Sequence, residues 1–183
     1  YQQQLRSHKT SQRASEYLQG RGLSGETAKT FQLGYAPTGW DNLMSALGKT
    51  EGSLTDLREL GLIVSNDNKK TYDRFRERIM FPIRNKRGQT IGFGGRVMDD
   101  AEPKYLNSPE TPLFHKGREV YGLFEALKAS SKLQRLLLVE GYLDVISLHQ
   151  QGITNSVAAL GTAITREHID LLFRSVSELV ICM

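Results

Sequence analysis

Short apolar anchors spaced at helical intervals among polar runs mark the opening stretch of the chain. From Ser11 to Phe31, Leu18 and Leu23 supply the anchors, Gly20 and Gly22 interrupt them, and Ser24 precedes Glu26 and Thr27, which predicts two short helices. The style returns over 41–62, where Asp41 reads as an N-cap for NLMSALG, Ser53 or Thr55 as one for TDLRELG, and Gly48 and Gly61 as stops. Neither pair holds a reactive constellation, so both read as scaffold. The period then shortens. RIMFPIRNKRGQTIGFGGRVM contains two β-prone apolar runs joined by Asn85-Lys86-Arg87-Gly88, which predicts a hairpin with a basic turn. Gly92, Gly94 and Gly95 lack the dinucleotide-binding spacing and, inside a strand, point to a bulge or to a ligand close to the backbone. Three prolines in PKYLNSPETPLFHKG predict an irregular loop from Pro103 to Gly117.

The remainder has a different rhythm. RLLLVE, a helical YLDVISLHQQ ending at Gly152, NSVAAL, a helix from Thr165 to about Phe173, and ELVICM spell β-α-β-α-β. Near-continuous apolar strands alternating with amphipathic helices predict a parallel sheet covered on both faces. In such sheets ligands gather at the carboxyl ends of strands. Glu140 ends the run Leu136 to Val139, and Asp144 follows near the start of the next helix, so two carboxylates share one corner. Hard oxygen ligands of this kind suit Mg²⁺ or Mn²⁺ completed by water and substrate phosphate. Spacing alone equally allows a helix-capping carboxylate beside a turn-ending acid.

Composition narrows the options. The 183 residues are 39% apolar and 24% charged, enough for a packed core and a wet surface. No run approaches the roughly 18 apolar residues of a membrane span, and YQQQLRSHKT lacks the apolar core of a secretory signal, so a soluble, cytoplasmic protein without membrane contact is expected, and separately a monomer. Cys182 is the only cysteine, which excludes an internal disulfide and a zinc site of cysteine pairs and reads as a buried thiol. The four histidines show no metal-ligand spacing, and neither GxSxG nor a phosphate loop ending in GK[ST] is present. The net charge of +4 is uneven: 18 Lys/Arg against 13 Asp/Glu over 1–117, and 6 against 7 over 118–183. Eight cations, Lys69, Lys70, Arg74, Arg76, Arg78, Arg84, Lys86 and Arg87, fall within 69–87, where a solvated face and a polyanion partner are both open readings. In the loop, Lys104, Tyr105, Asn107, His115 and Lys116 offer point charge and a flat ring for phosphate and base, or an ordinary connector.

The blocks YDRFRERIMFPIRNKRGQTIGFGGRV, PKYLNSPET, FHKGREVYGL and VEGYLDVISLHQQG, with TNSVAALGTAIT after Ile153, closely resemble bacterial primases of the DnaG type along nearly the whole chain. The resemblance implies a mixed α/β fold. A basic α+β subdomain with a β-hairpin over 1–117 is followed over 118–183 by the opening of a TOPRIM, Rossmann-like parallel sheet, truncated before an Asp-x-Asp motif. It implies a DNA-directed RNA polymerase that makes RNA primers from ribonucleoside triphosphates on single-stranded DNA, with Glu140 as acid/base or metal ligand and Asp144 as a metal-site acid. Arg76, Arg96, Lys104, Tyr105, Asn107 and Lys116, with Arg21 in GRGL, match the family's nucleotide- and template-holding cleft. Mg²⁺ or Mn²⁺ is the implied cofactor. Zinc and the replicative helicase belong to N- and C-terminal domains absent from these residues. The fragment is therefore expected to be inactive alone. A different TOPRIM enzyme, a nuclease or topoisomerase, and a noncatalytic nucleic-acid-binding module are the competing readings.

Overall fold

A computed structural model of the chain describes residues 1–68, 70–130, 132–161 and 163–182. Lys69 of the basic run lies outside the described residues. The chain begins with α1 (Gln2–Ser7), α2 (Ser11–Gly20), α3 (Gly25–Thr30), β1 (Gly34–Ala36), α4 (Asn42–Leu47), α5 (Glu51–Glu59), β2 (Ile63–Ser65) and β3 (Thr71–Asp73). The hairpin strands β4 (Arg78–Arg84) and β5 (Thr90–Val97) follow, then β6 (Tyr105–Asn107) and α6 (Leu123–Ala129). The last part is β7 (Arg135–Val139), α7 (Tyr142–Gln150), β8 (Ser156–Ala158), α8 (Arg166–Phe173) and β9 (Glu178–Ile181). Three sheets result: antiparallel β1-β4-β5-β6, the ribbon β2-β3, and parallel β8-β7-β9.

The expected hairpin and parallel sheet are present, and local chemistry explains where the finer expectations shift. Ser24 Oγ accepts from Thr27 N at 3.1 Å and opens α3 as predicted. For α5 the cap is Thr50 rather than Ser53 or Thr55: Thr50 Oγ1 accepts from Ser53 N at 3.1 Å while Ser53 Oγ accepts from Thr50 N at 3.0 Å, a reciprocal box that starts the helix earlier. Asp41 occupies the N-cap of α4, yet the free N–H groups there are met from afar, by the Asp73 carboxylate on Leu43 N at 2.6 Å and Met44 N at 3.0 Å. Burial pushes the Asp73 carboxyl up, and these two N–H bonds partly oppose it. The proline-rich loop is not wholly irregular, since β6 pairs with β5 between the prolines.

The glycine-rich strand bends at a bulge opposite Ile83 and Arg84. The groups that approach its backbone are protein rings rather than a ligand: a Cβ at Gly94 would lie 2.5 Å from the Tyr142 hydroxyl, and one at Gly92 3.1 Å from the Phe114 ring. One apolar cluster unites the two main sheets. Ile79, Phe81 and Ile83 of β4 meet Val139, Tyr142, Val145 and Ile146 of the β7-α7 unit, with Phe31 and Tyr121 between. A second cluster packs Leu123 and Ala126 of α6 against Leu136 and Leu138 of β7. No helix of the described residues is long and apolar enough to cross a membrane.

Candidate functional site

β7 is the central strand of the parallel sheet, and Glu140 leaves its carboxyl end exposed to solvent. Asp144, also exposed, sits one turn into α7 and accepts from Gly141 N at 3.0 Å through one carboxylate oxygen, so it caps its helix and still has an oxygen to offer. The capping role and the metal-site role are thus compatible. The two carboxylates border a cleft of about 260 Å³ whose other walls are Tyr105 and Asn107 of β6 and Ala159 and Gly161 beyond β8. They also border a wider hollow of about 420 Å³ bounded by Ser147 and Cys182. Cys182 is exposed there, not buried as expected, because its backbone N–H, which donates to Leu138 O at 2.8 Å, holds it at the sheet's edge.

Among the described residues no group of three His, Cys, Asp or Glu side chains is arranged to hold a metal. Glu140 and Asp144 alone fit a hydrated Mg²⁺ or Mn²⁺, which keeps several waters and takes further oxygens from phosphate. They do not form the nitrogen- and sulfur-rich cage of structural zinc.

The opposite wall is an aromatic and guanidinium ladder. The Tyr142 hydroxyl donates to Asn107 Oδ1 at 2.8 Å, and the ring of Tyr142 stacks against Tyr105 with centroids 5.9 Å apart. The Arg96 guanidinium lies 4.8 Å over the Tyr105 ring and its Nε donates to the Tyr17 hydroxyl. Arg21 covers Tyr17 at 5.4 Å. Burial works against the charge of Arg96, but its bond to Tyr17 and the pull of Tyr105 outweigh this and raise its pKa. Burial also pushes the Tyr105 phenol up.

Of the residues singled out in the sequence, Glu140, Asp144, Tyr105 and Asn107 therefore meet in one cleft, with Arg96 and Arg21 joined to it through rings. Arg76 belongs to a separate patch. Its guanidinium sits 4.4 Å over the Trp40 ring and 5.0 Å over Tyr72, and Trp40 is 64% exposed. Lys104 is exposed beside Tyr105, and Lys116 is half-buried with its carbonyl accepting from the His168 ring at 2.8 Å; neither lines the cleft. The run 69–87 does not form one polyanion surface. Arg78 is buried and donates to Pro103 O at 2.9 Å, Arg84 is buried against Glu125, Arg74 donates to Asn107 O at 3.2 Å, and Lys86 to Ser175 Oγ at 2.9 Å.

A family model described as the DNA primase catalytic core, N-terminal domain, matches residues 1–127, and a Toprim domain model matches residues 134–183. The chain belongs to the DNA primase family. The DNA primase of Pseudomonas aeruginosa is 56% identical over 183 residues, which is all of this chain and 28% of that protein. The crystal structure of a DNA primase domain from Pseudomonas aeruginosa superposes with a TM-score of 0.97 at 56% identity, covering all of this chain and 57% of that one. A DnaG primase catalytic domain bound to single-stranded DNA gives a TM-score of 0.95 at 51% identity, covering all of this chain and 56% of that one. The chain spans less than a third of the length of the curated primases it matches. Sequence reasoning missed four primase side chains, Tyr17, Trp40, Tyr72 and Tyr142. For Trp40, the only tryptophan, its place in the turn-like stretch PTGWD was a usable signal, because no apolar face there calls for it.

Proposed function

We propose that this chain is the template- and nucleotide-holding part of a DNA-dependent RNA polymerase that makes short RNA primers on single-stranded DNA for replication. The observation that carries the reading is the cleft in which Tyr105 and Asn107 face Glu140 and Asp144 across the two sheets. The relative bound to single-stranded DNA supports a single-stranded template. Arg21, Arg96, Lys104 and Lys116 neutralise phosphates, Tyr105 offers a stacking face, and Arg76 on its Trp40 and Tyr72 platform holds template bases farther along. Glu140 and Asp144 are the residues that would hold Mg²⁺ or Mn²⁺, which when bound would supply positive charge against the triphosphate and the departing pyrophosphate. The primer 3′ hydroxyl gives its proton to solvent as its oxygen bonds to the α-phosphorus of the next ribonucleotide and the bond to pyrophosphate breaks.

Residues 118–130 pack on the parallel sheet through Leu123 and Ala126, which favours a subdomain division near residue 117. Two carboxylates are fewer donors than a metal-assisted transfer uses, so the 183 residues alone are expected to make no primers.

The test is ribonucleotide incorporation on single-stranded DNA with Mg²⁺ or Mn²⁺ by the full-length chain. Glu140→Gln is expected to lower it by about a hundredfold or more with Tm unchanged. Retained synthesis would remove Glu140 from the chemistry. DNA cutting or relaxation without ribonucleotide incorporation would favour a different Toprim enzyme.

A further inference from the structure

Tyr142 lies between Glu140 and Asp144 in sequence but turns away from solvent, with 5% of its surface exposed. Its ring is stacked on Phe81 with centroids 4.9 Å apart and meets Tyr121 edge-on at 4.7 Å. The room for it is made in β5, where Gly94 has no Cβ to collide with the hydroxyl end of the ring. Gly94 is itself the partner of Asn107 in the β5-β6 register. The hydroxyl therefore arrives beneath Asn107.

The direction of the bond between them is fixed by a third group. Asn107 Nδ2 donates to Leu160 O at 2.7 Å, and a carbonyl only accepts, so the amide nitrogen must face Leu160 and the amide oxygen must face Tyr142. The Tyr142 hydroxyl is then the donor, and the chain Tyr142 to Asn107 to Leu160 is fully determined. Leu160 sits between Ala159 and Gly161, two residues that line the cleft together with Glu140 and Asp144. The hydroxyl and the Leu160 carbonyl together thus hold the Asn107 amide, which ties β6 to the segment after β8.

We infer that Tyr142 is a positioning residue of the proposed polymerase, holding Asn107 and the 159–161 segment at the separation from Glu140 and Asp144 that nucleotide addition needs. The inference rests on the primer-synthesis reading but goes beyond it, because Tyr142 lines the site while acting through a neighbour. With the hydroxyl removed, the Asn107 amide oxygen loses its donor and the amide is held by the Leu160 carbonyl alone, while Phe81 and Tyr105 still hold the Tyr142 ring.

In the full-length chain, Tyr142→Phe is expected to lower the rate of ribonucleotide incorporation about tenfold while the affinity for single-stranded DNA and Tm stay unchanged. The double variant Tyr142→Phe, Asn107→Ala is expected to be no slower than Asn107→Ala alone, since both remove one unit. In the 183-residue chain, the side-chain amide NMR signal of Asn107 is expected to shift in Tyr142→Phe. Wild-type rates in Tyr142→Phe, or a double variant slowed by the product of the single effects, would overturn the inference. If the wild-type full-length chain makes no primers, the polymerase reading fails instead, and an unmoved Asn107 signal would then overturn the positioning role on its own.

Discussion

His149 on α7 lies half-buried with its ring edge-on to Phe31, centroids 5.0 Å apart, in a hollow it shares with Glu125 and Lys128. Burial holds its pKa below the ordinary 6.5, although the Glu125 carboxylate pulls the other way. The unfolded chain therefore takes up a proton first. The contribution to stability is complete above about pH 6.5 and is lost as the pH falls through that value toward the lower folded-state pKa. Between about pH 7.5 and 5.5 the wild-type chain is expected to lose more Tm than His149→Gln, by an amount that partial solvent screening keeps small. Thermal unfolding at several pH values checks this, and parallel curves for the two proteins would rule it out. At this scale the carboxylates were legible in the sequence and the aromatic partners were not. Glu140 announces itself by ending an apolar run, whereas the bond of Tyr142 to Asn107 depends on a strand residue 35 positions earlier arriving at the same place.

The helix that ties the two sheets together left little trace in the sequence. α6 starts at Gly122 in a left-handed conformation, with no Ser, Thr, Asp or Asn to mark its N-cap. Its importance shows in one contact: Glu125 on α6 is paired with Arg84 on β4, and both side chains are almost wholly buried. The Arg84 guanidinium also donates to Thr30 O at 3.1 Å and lies 4.9 Å over the Phe124 ring, so three elements meet at one cation. Glu125→Ala leaves that cation buried without its counter-charge, which is expected to cost about 3–5 kcal/mol. At roughly 2–4 °C for each kcal/mol in a chain of this size, Tm should fall by about 6–20 °C. Denaturant unfolding measures it directly, and a loss below about 1 kcal/mol would show the pair to be dispensable. The strongly patterned elements, the hairpin and the parallel strands, were legible because their apolar period is set by burial on each face. The three-residue strands β1, β2, β3 and β6 were not, because so few residues carry no period and their pairing is decided by neighbours.

Across the whole molecule, the uneven charge read from the sequence separates into two uses. Arg78 and Arg84 are interior cations that tie strands and helices together, and their removal should alter folding rather than association. Lys104 is exposed, next to Tyr105 in the chain, and Lys116 is half-buried at the loop that carries the His168 contact. Only cations that reach solvent can displace counterions from a nucleic-acid backbone. If both lysines meet phosphates of a single strand, Lys104→Ala with Lys116→Ala should weaken binding to single-stranded DNA and flatten the dependence of log K on log salt by about 1.4, roughly 0.7 for each contact. The comparison is made between about 50 and 200 mM salt, where the loss of affinity should be largest at the low end. A slope equal to that of the wild-type chain would place both lysines off the path of the strand, leaving Arg21, Arg96 and the Arg76 platform to define it.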